Sequence, residues 1–237
     1  MPFRVQKFNW DTLAQIDPMW AVLSEPDKRG NRWDRGEFFY TGRQEAAQLL
    51  TDLETLGLPD SYGRVLDMGC GAGRVTHALA ERFDEVVGYD ISPTMLELAR
   101  EDAADNERFV LNESNDLSPF DDESFDLVYC SRVLQHVDQE DVKRYLLEMT
   151  RVLAPRGTLF VQMLSHQIAS TPGSRESGPD PAWEVNGHVP HYTITSVPVP
   201  TMFASLLACG LVVHQARLLD GGEGQSVASY EYVCQNL

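Results

Sequence analysis

The chain has 237 residues, of which 43% are hydrophobic, and a formal net charge of −17. This length suits one substantial core, and no apolar run approaches the roughly 18–20 residues of a membrane span. Because phosphate backbones and anionic lipids are bound by clustered Lys and Arg, the acidity argues against nucleic-acid and membrane partners. Four scattered cysteines and the lack of a signal-peptide core predict a cytoplasmic protein without a disulfide or zinc scaffold.

The first 60 residues predict two helices ahead of the core. Apolar residues recur at helical spacing from Trp10 to Leu23, and turn-forming residues at 25–31 end that pattern. A second apolar helical pattern follows and ends at Gly57. We expect these helices to form a cap.

The stretch from Arg64 to Arg74 predicts a buried strand, a glycine turn and a helix. Gly69, Gly71 and Gly73 leave the turn without side chains, so backbone N–H groups can approach a ligand at the positive end of the helix. The dinucleotide pattern G-x-G-x-x-G requires a glycine at position 74. This chain has Arg74 there and its third glycine at Gly73, which argues against NAD as the ligand. Asp67 ends the strand and suits a cationic or hydrogen-bond-donating ligand.

A second apolar run ends in Asp90, about one βαβ step later. A carboxylate at this place can accept both hydroxyl groups of a ribose. Together, Asp67 and Asp90 indicate a binding site for a nucleoside that carries an amino acid. Two alternatives stay open, since glycine turns also occur in domains that bind other nucleotides or none, and Asp90 could simply cap the helix that begins near Pro93.

Strands and helices alternate through the middle of the chain, which predicts parallel strands joined by right-handed crossovers. The predicted strands lie near residues 64–68, 85–90, 107–111, 125–130 and 157–164, and the predicted helices near 73–82, 93–104 and 138–152.

These motifs resemble the class I S-adenosylmethionine-dependent methyltransferases, whose signature is a strand ending in D-x-G-x-G-x-G and an acidic residue that closes the next strand. Residues 125–130, 133–137 and 153–159 extend the resemblance, which covers residues 60–165 well and the flanks loosely. It implies an α/β, Rossmann-like, doubly wound sheet of seven strands in the order 3-2-1-4-5-7-6, with the last strand antiparallel.

The resemblance also implies one methyltransferase domain over residues 1–237. Its expected parts are an N-terminal helical cap (1–60), a cofactor-binding core (61–165), a long lid insert after the fifth strand (166–196), and a C-terminal helix with a β-hairpin (197–237).

The resemblance assigns S-adenosylmethionine to the carboxyl ends of the first strands. Glu113 or Ser114 is expected at the adenine amino group, and Arg43 at the methionine carboxylate, although Arg43 could equally be a solvated helix residue. The complete predicted cofactor set is Asp67, Gly69, Cys70, Gly71, Gly73, Asp90, Ile91, Glu113, Ser114, Arg43 and Ser131.

Histidines near the predicted crevice are the candidate catalytic bases, with His136 first and His166 second. His136 could instead only orient its loop. The predicted acceptor-binding residues are Gln135, Glu184, His188, His191 and Tyr192, most of them in the lid. Glu184 with a histidine could hold Mg²⁺, but no spacing is diagnostic and we assign no metal site.

We therefore expect a methyltransferase that acts on a small molecule, with O-methylation of a hydroxyl on a sugar-like or natural-product acceptor as the leading hypothesis. The alternatives are an N- or C-methyltransferase of a small metabolite, a protein methyltransferase, and a non-catalytic nucleoside-binding module. The sequence identifies neither the acceptor nor the oligomeric state.

Overall fold

A computed structural model describes residues 2–167, 189–190, 194–219 and 227–237. Within these residues, seven strands form one sheet in the order β3-β2-β1-β4-β5-β7-β6. Strands β1 to β5 pair in parallel, and β7 runs antiparallel to both β5 and β6. The strands are β1 Arg64–Met68, β2 Glu85–Asp90, β3 Glu107–Leu111, β4 Phe125–Cys130, β5 Leu153–Gln167, β6 Leu211–Leu219 and β7 Val227–Asn236. The predicted strand order and antiparallel last strand are confirmed.

The helices lie before, between and after these strands. They are α1 Phe3–Ile16, α2 Pro18–Val22, α3 Arg35–Leu56, α4 Thr76–Leu79, α5 Pro93–Glu101, α6 Gln139–Val152 and α7 Val199–Ala208. Short 3₁₀ turns occupy Pro26–Lys28 and Leu134–His136. Across the ranges that the structure describes, no helix combines the length and apolar character needed to cross a membrane.

The central strands are apolar on both faces because helices cover both sides of the sheet. Val65 of β1 packs in one cluster with Leu53 of α3, and the next residue, Leu66, packs in another with Leu146 of α6; all four side chains are fully buried. Alternate residues of a strand point to opposite faces, so a buried parallel strand reads as a continuous apolar run.

The N-terminal cap contains two helices where the sequence predicted one from Trp10 to Leu23. Pro18 cannot continue a helix because it has no N–H group. Asp17 adopts a non-helical backbone conformation, and its carboxylate accepts hydrogen bonds from the N–H groups of Trp20, Gly30 and Asn31 at 3.4, 2.6 and 2.9 Å. One buried carboxylate therefore caps α2 and holds the following turn.

Helix α4 is shorter than the predicted 73–82. Gly71 and Gly73 have φ values of +53° and +81°, so the chain is still in left-handed turn conformations where a helix was expected to begin. Helix α3 ends at Gly57, which is left-handed (φ +70°), as the pattern predicted. Most of the predicted lid lies outside the described residues.

Candidate active site

A cavity of about 640 Å³ opens at the carboxyl ends of the parallel strands. Ligands of open α/β sheets bind at this edge, and the volume is typical of small-molecule sites. The loops that follow β1 to β4 form its floor, while α1 and α2 cover it with Trp10, Leu13 and Trp20.

The glycine turn after β1 forms one wall. The N–H of Gly69 donates to the carbonyl oxygen of Tyr89 at 2.7 Å, which joins the turn to β2. Gly69 has φ +79°, and a Cβ there would lie 2.1 Å from Cγ2 of Val133 in the loop after β4. Only glycine fits this close approach.

The predicted residues of this turn divide into two groups. Gly69, Cys70 and Gly71 line the cavity. Gly73 is not among the lining residues, and its Cβ would meet His77 Nε2 at 2.7 Å, so the structure gives it a packing role. Burial raises the pKa of the Cys70 thiol, which keeps it protonated.

Asp90 lies at the end of β2 with its carboxylate facing the cavity. Its Oδ2 accepts the N–H of Gly71 and its Oδ1 the N–H of Ser92, both at 2.8 Å. Burial raises the pKa of this carboxyl group, and the backbone donors oppose that change. The N–H of Ile91 also acts on this carboxylate, which keeps acceptor capacity for a ribose hydroxyl donor. Ile91, predicted as a cofactor residue, also lines this wall.

Asp67 is almost fully buried at the end of β1, with 3% of its surface exposed, and lines the cavity. Its Oδ2 accepts a hydrogen bond from the hydroxyl of Thr76 at 2.6 Å. Burial raises the pKa of Asp67 to about 7. A cation in the cavity would favour the charged carboxylate, so this residue suits a cationic ligand.

The residue at the end of β3 that faces the cavity is Asn112, rather than Glu113 or Ser114. The side-chain Oδ1 of Asn112 accepts the N–H of Ser114 at 3.1 Å, a local turn that leaves Glu113 exposed to solvent. The Ser114 hydroxyl donates to Asp116 at 2.6 Å. The prediction was displaced by one or two residues because this turn redirects the chain.

Arg43 does not reach the cavity. It is exposed on α3 with its guanidinium carbon 5.6 Å from the Tyr40 ring centre, and Glu45 is the residue of α3 that faces inward. The guanidinium groups that line the cavity come from Arg74 and Arg132.

Glu45 binds both of these arginines. Arg74 Nη2 lies 2.6 Å from Glu45, and Arg132 Nη1 donates to its two oxygens at 2.9 and 3.0 Å. The Tyr129 hydroxyl also donates to it. Burial alone would raise the pKa of Glu45, but Arg132, Arg74 and Tyr129 together lower it to about 2.

A polar chain continues from this cluster across the sheet. Gln162, a polar residue within the apolar strand β5, accepts from the Ser131 hydroxyl at 3.0 Å and from the Arg132 N–H at 2.9 Å. Its amide nitrogen donates to Ser229 of β7 at 2.7 Å. Ser131, predicted as a cofactor residue, therefore lines the cavity together with Gln162 and Ser229.

His136 and Gln135 lie in the 3₁₀ turn after β4 and both line the cavity. The His136 ring packs edge-on against Trp10 with 4.9 Å between ring centres, and its Nε2 lies 3.0 Å from the Gln135 amide nitrogen. Gln6 of α1 donates to the His136 carbonyl oxygen at 2.7 Å. The cap helix thus holds the turn that carries the candidate base.

Several predicted residues fall outside what the structure describes. His166 lies on β5, but its side chain is not described. Glu184, His188, His191 and Tyr192 lie outside the described residues. Among the residues that are described, no group of three or more His, Cys, Asp or Glu could hold a metal ion, and the suggested Mg²⁺ ligand Glu184 is not one of them.

Sequence reasoning missed Glu45, Arg132 and Gln162. Gln162 could have been found as a polar residue within an apolar strand. Arg132 could have been found as an arginine close to the end of the fourth predicted strand, where the crevice was expected. Arg74 was noticed only because it replaces the third glycine of a dinucleotide pattern.

Residues 66–161 match the family model described as a methyltransferase domain. The ubiquinone biosynthesis O-methyltransferase of Idiomarina loihiensis is 33% identical over 110 residues, which cover 45% of this chain and 44% of that protein. The trans-aconitate 2-methyltransferase of Deinococcus radiodurans is 38% identical over 122 residues, covering 50% of this chain and 45% of that protein. The chain thus spans less than half the length of these curated relatives.

Among solved structures, the magnesium protoporphyrin IX methyltransferase of Synechocystis PCC 6803 with bound SAH (S-adenosylhomocysteine) superposes with a TM-score of 0.60 at 17% identity. The match covers 86% of this chain and 89% of that one. At this identity it supports the fold alone. Residues 66–161 thus match the methyltransferase-domain model, and the strand order is that of the Rossmann-like methyltransferase fold.

Proposed function

We propose that the chain transfers the methyl group of S-adenosylmethionine to a hydroxyl oxygen of a small molecule, a sugar-like compound or a natural product. The observation that carries the proposal is one cavity that contains both the Gly69–Gly71 turn with Asp90 and, on the loop after β4, His136. The proposed nucleoside seat and a candidate base therefore lie in the same cavity.

The cofactor supplies an activated methyl group on its sulfonium when bound. The chain's contribution is binding, alignment and exclusion of water. Asp90 accepts hydrogen bonds from the ribose, Asp67 provides negative charge, and Trp10 and Trp20 close the cavity from above.

A hydroxyl group is a weak nucleophile until its proton leaves. His136 is the proton acceptor that we propose, because a neutral imidazole can take up a proton near physiological pH and His136 lines the cavity. A positioned base contributes roughly 10²- to 10⁴-fold in rate. The names of the relatives support a small acceptor, since one is called an O-methyltransferase and another a trans-aconitate methyltransferase.

The first test is calorimetric titration with SAH. Asp90→Ala should weaken binding by about 1–3 kcal/mol, the cost of losing charged hydrogen bonds. Unchanged affinity would remove Asp90 from the ribose site, and no binding to the wild-type chain would reject the proposal as a whole.

The second test is a screen of hydroxylated acceptors with labelled S-adenosylmethionine. His136→Asn should lower kcat by roughly 10²- to 10⁴-fold and leave SAH affinity unchanged. The matched control is His214→Asn, because His214 is exposed on β6. Full activity of His136→Asn would favour the alternative of an N- or C-methyltransferase, which needs no such base.

A further inference from the structure

One edge of the Arg132 guanidinium group has no acceptor among the residues that the structure describes. Its Nη1 makes both bonds to Glu45, at 2.9 and 3.0 Å, while no described residue accepts a hydrogen bond from its Nε or Nη2. The side chain is 40% exposed and lines the cavity. The Nε–Nη2 edge is a planar pair of donors that matches the two oxygens of a carboxylate.

Arg132 is held in place rather than mobile. Its backbone has φ +62°, a left-handed conformation that is uncommon for a residue other than glycine and persists only where the surroundings impose it. The N–H of Arg132 donates to Gln162 at 2.9 Å, and Glu45 anchors the guanidinium. The open edge is therefore preorganised, which lowers the entropic cost of binding.

The charges around Arg132 nearly balance. Glu45 is shared by two guanidinium groups, and Arg74, only 4% exposed, already pairs with it at 2.6 Å. Glu231 also acts on Arg132, and Arg217, its partner at 2.6 Å, is itself shared with Asp52 at 2.8 Å. The match to a ligand therefore rests on the planar pair of donors, whose geometry suits a carboxylate.

Arg132 lies on the side of the cavity away from Asp90. Asp67 and Asp90 end β1 and β2, whereas Arg132 follows β4, the neighbour of β1, and lies beside Gln162 of β5 and, through it, Ser229 of β7. The two carboxylates suit the cationic cofactor of the proposed function, which leaves the donor edge of Arg132 for a second ligand.

We propose, on the basis of the methyl transfer proposed above, that the acceptor carries a carboxylate group that binds the Nε–Nη2 edge of Arg132. Gln162 and Ser229 form the polar wall beside it. The acceptors to be tested first are therefore hydroxylated acids, such as hydroxybenzoic acids and uronic acids.

The test measures binding of matched probes to the protein saturated with SAH. The pairs are para-hydroxybenzoate with para-hydroxybenzamide, and glucuronate with glucose. Wild-type protein should bind an acid more tightly than its neutral partner. Arg132→Gln should weaken binding of the acid by about 10- to 100-fold and change the affinities for the neutral partner and for SAH by no more than about twofold.

Two further variants support the comparison. Arg132→Lys keeps the charge without the planar edge, so its affinity for the acids should lie between those of the wild type and Arg132→Gln. This variant replaces Arg132→Gln in the test if thermal unfolding shows that Arg132→Gln does not fold. Arg43→Gln removes an exposed arginine from α3 and should change nothing.

The outcomes separate the two proposals. If SAH binds but neutral probes bind as well as acids, or no probe binds, the carboxylate inference fails and methyl transfer stands. If Arg132→Gln weakens SAH and spares the acids, the edge holds the cofactor's own carboxylate, and the inference is wrong. If SAH does not bind the wild-type protein, both proposals fail.

Discussion

Binding of S-adenosylmethionine should release a proton from Asp67 below pH 7. Burial raises the pKa of this carboxyl group to about 7, so the protein without ligand holds it mostly protonated in mildly acidic solution. The cofactor is cationic, and in the proposed function it binds in the cavity that Asp67 lines. A nearby positive charge stabilises the carboxylate and lowers its pKa, so the proton leaves on binding.

The size of the effect follows from the pKa. At pH 6 about nine-tenths of the Asp67 side chains are protonated, and at pH 8 about one-tenth. If the bound cation lowers the pKa by about 2 units, binding releases about 0.8 proton at pH 6 and about 0.1 at pH 8. Calorimetry in two buffers with different ionisation enthalpies measures this number, and Asp67→Asn should abolish the dependence on buffer.

The same pKa predicts the stability of the protein without ligand. The folded-state pKa lies above the ordinary value of 3.8, so the folded state binds more protons between these values and the free energy of unfolding falls as pH rises from about 4 to 7. A difference of about 3 units corresponds to a loss on the order of 4 kcal/mol. Asp67→Asn avoids this loss, so it should be more stable than wild type at pH 8.

Two results would refute this reasoning. One is a binding heat at pH 6 that does not depend on the buffer in the wild-type protein. The other is an Asp67→Asn variant that is less stable than wild type to urea at pH 8, which would mean that the charged carboxylate stabilises the fold.

Two further predictions concern the glycine turn and the cap. Gly69→Ala should lower the free energy of unfolding by about 2–5 kcal/mol, because it adds left-handed strain and an overlap with Val133. Gly210→Ala is the control: Gly210 has φ +86° and open space around it, so this variant should lose only the strain, about 1–2 kcal/mol. Equal losses of the two variants in urea unfolding would exclude the overlap. Asp11→Ala should make α1 open more easily by about 1–3 kcal/mol, because Asp11 accepts the Ser92 hydroxyl at 2.7 Å; unchanged hydrogen exchange in α1 would contradict this.

The strands of the core could be predicted because their signals are local. The predicted 64–68, 85–90, 107–111 and 125–130 coincide with β1 to β4. Each is a short apolar run between turn-forming residues, and burial on both faces makes that run nearly continuous. The helix predicted at 73–82 failed for a local reason too, since the glycines that make the turn delay the start of α4.

Site residues at strand ends could be predicted from the sequence, whereas the direction of a side chain on α3 could not. The turn at Gly69 and the carboxylate of Asp90 are set by the ends of adjacent strands, and the pattern located both at the cavity wall. Arg43 was misplaced because the rotation of α3 is set by a distant contact. A Cβ at Gly42 would lie 1.9 Å from the Arg74 carbonyl oxygen, so this face of α3 lies directly on the glycine turn and Arg43 faces solvent.

The Glu45 cluster shows why such a site cannot be predicted from spacing. Glu45 is 29 residues from Arg74 and 87 from Arg132, and only packing of α3 against the turn after β1 and the loop after β4 brings them together. Removal of Glu45 would leave two guanidinium groups in a partly buried site without their shared counter-charge, which costs more than the bonds themselves. Because Arg74 follows the glycine turn and Arg132 follows β4, a change at Glu45 removes a partner from both sides of the cavity at once. We therefore expect Glu45 variants to affect binding at the proposed cofactor seat and at the proposed acceptor site together.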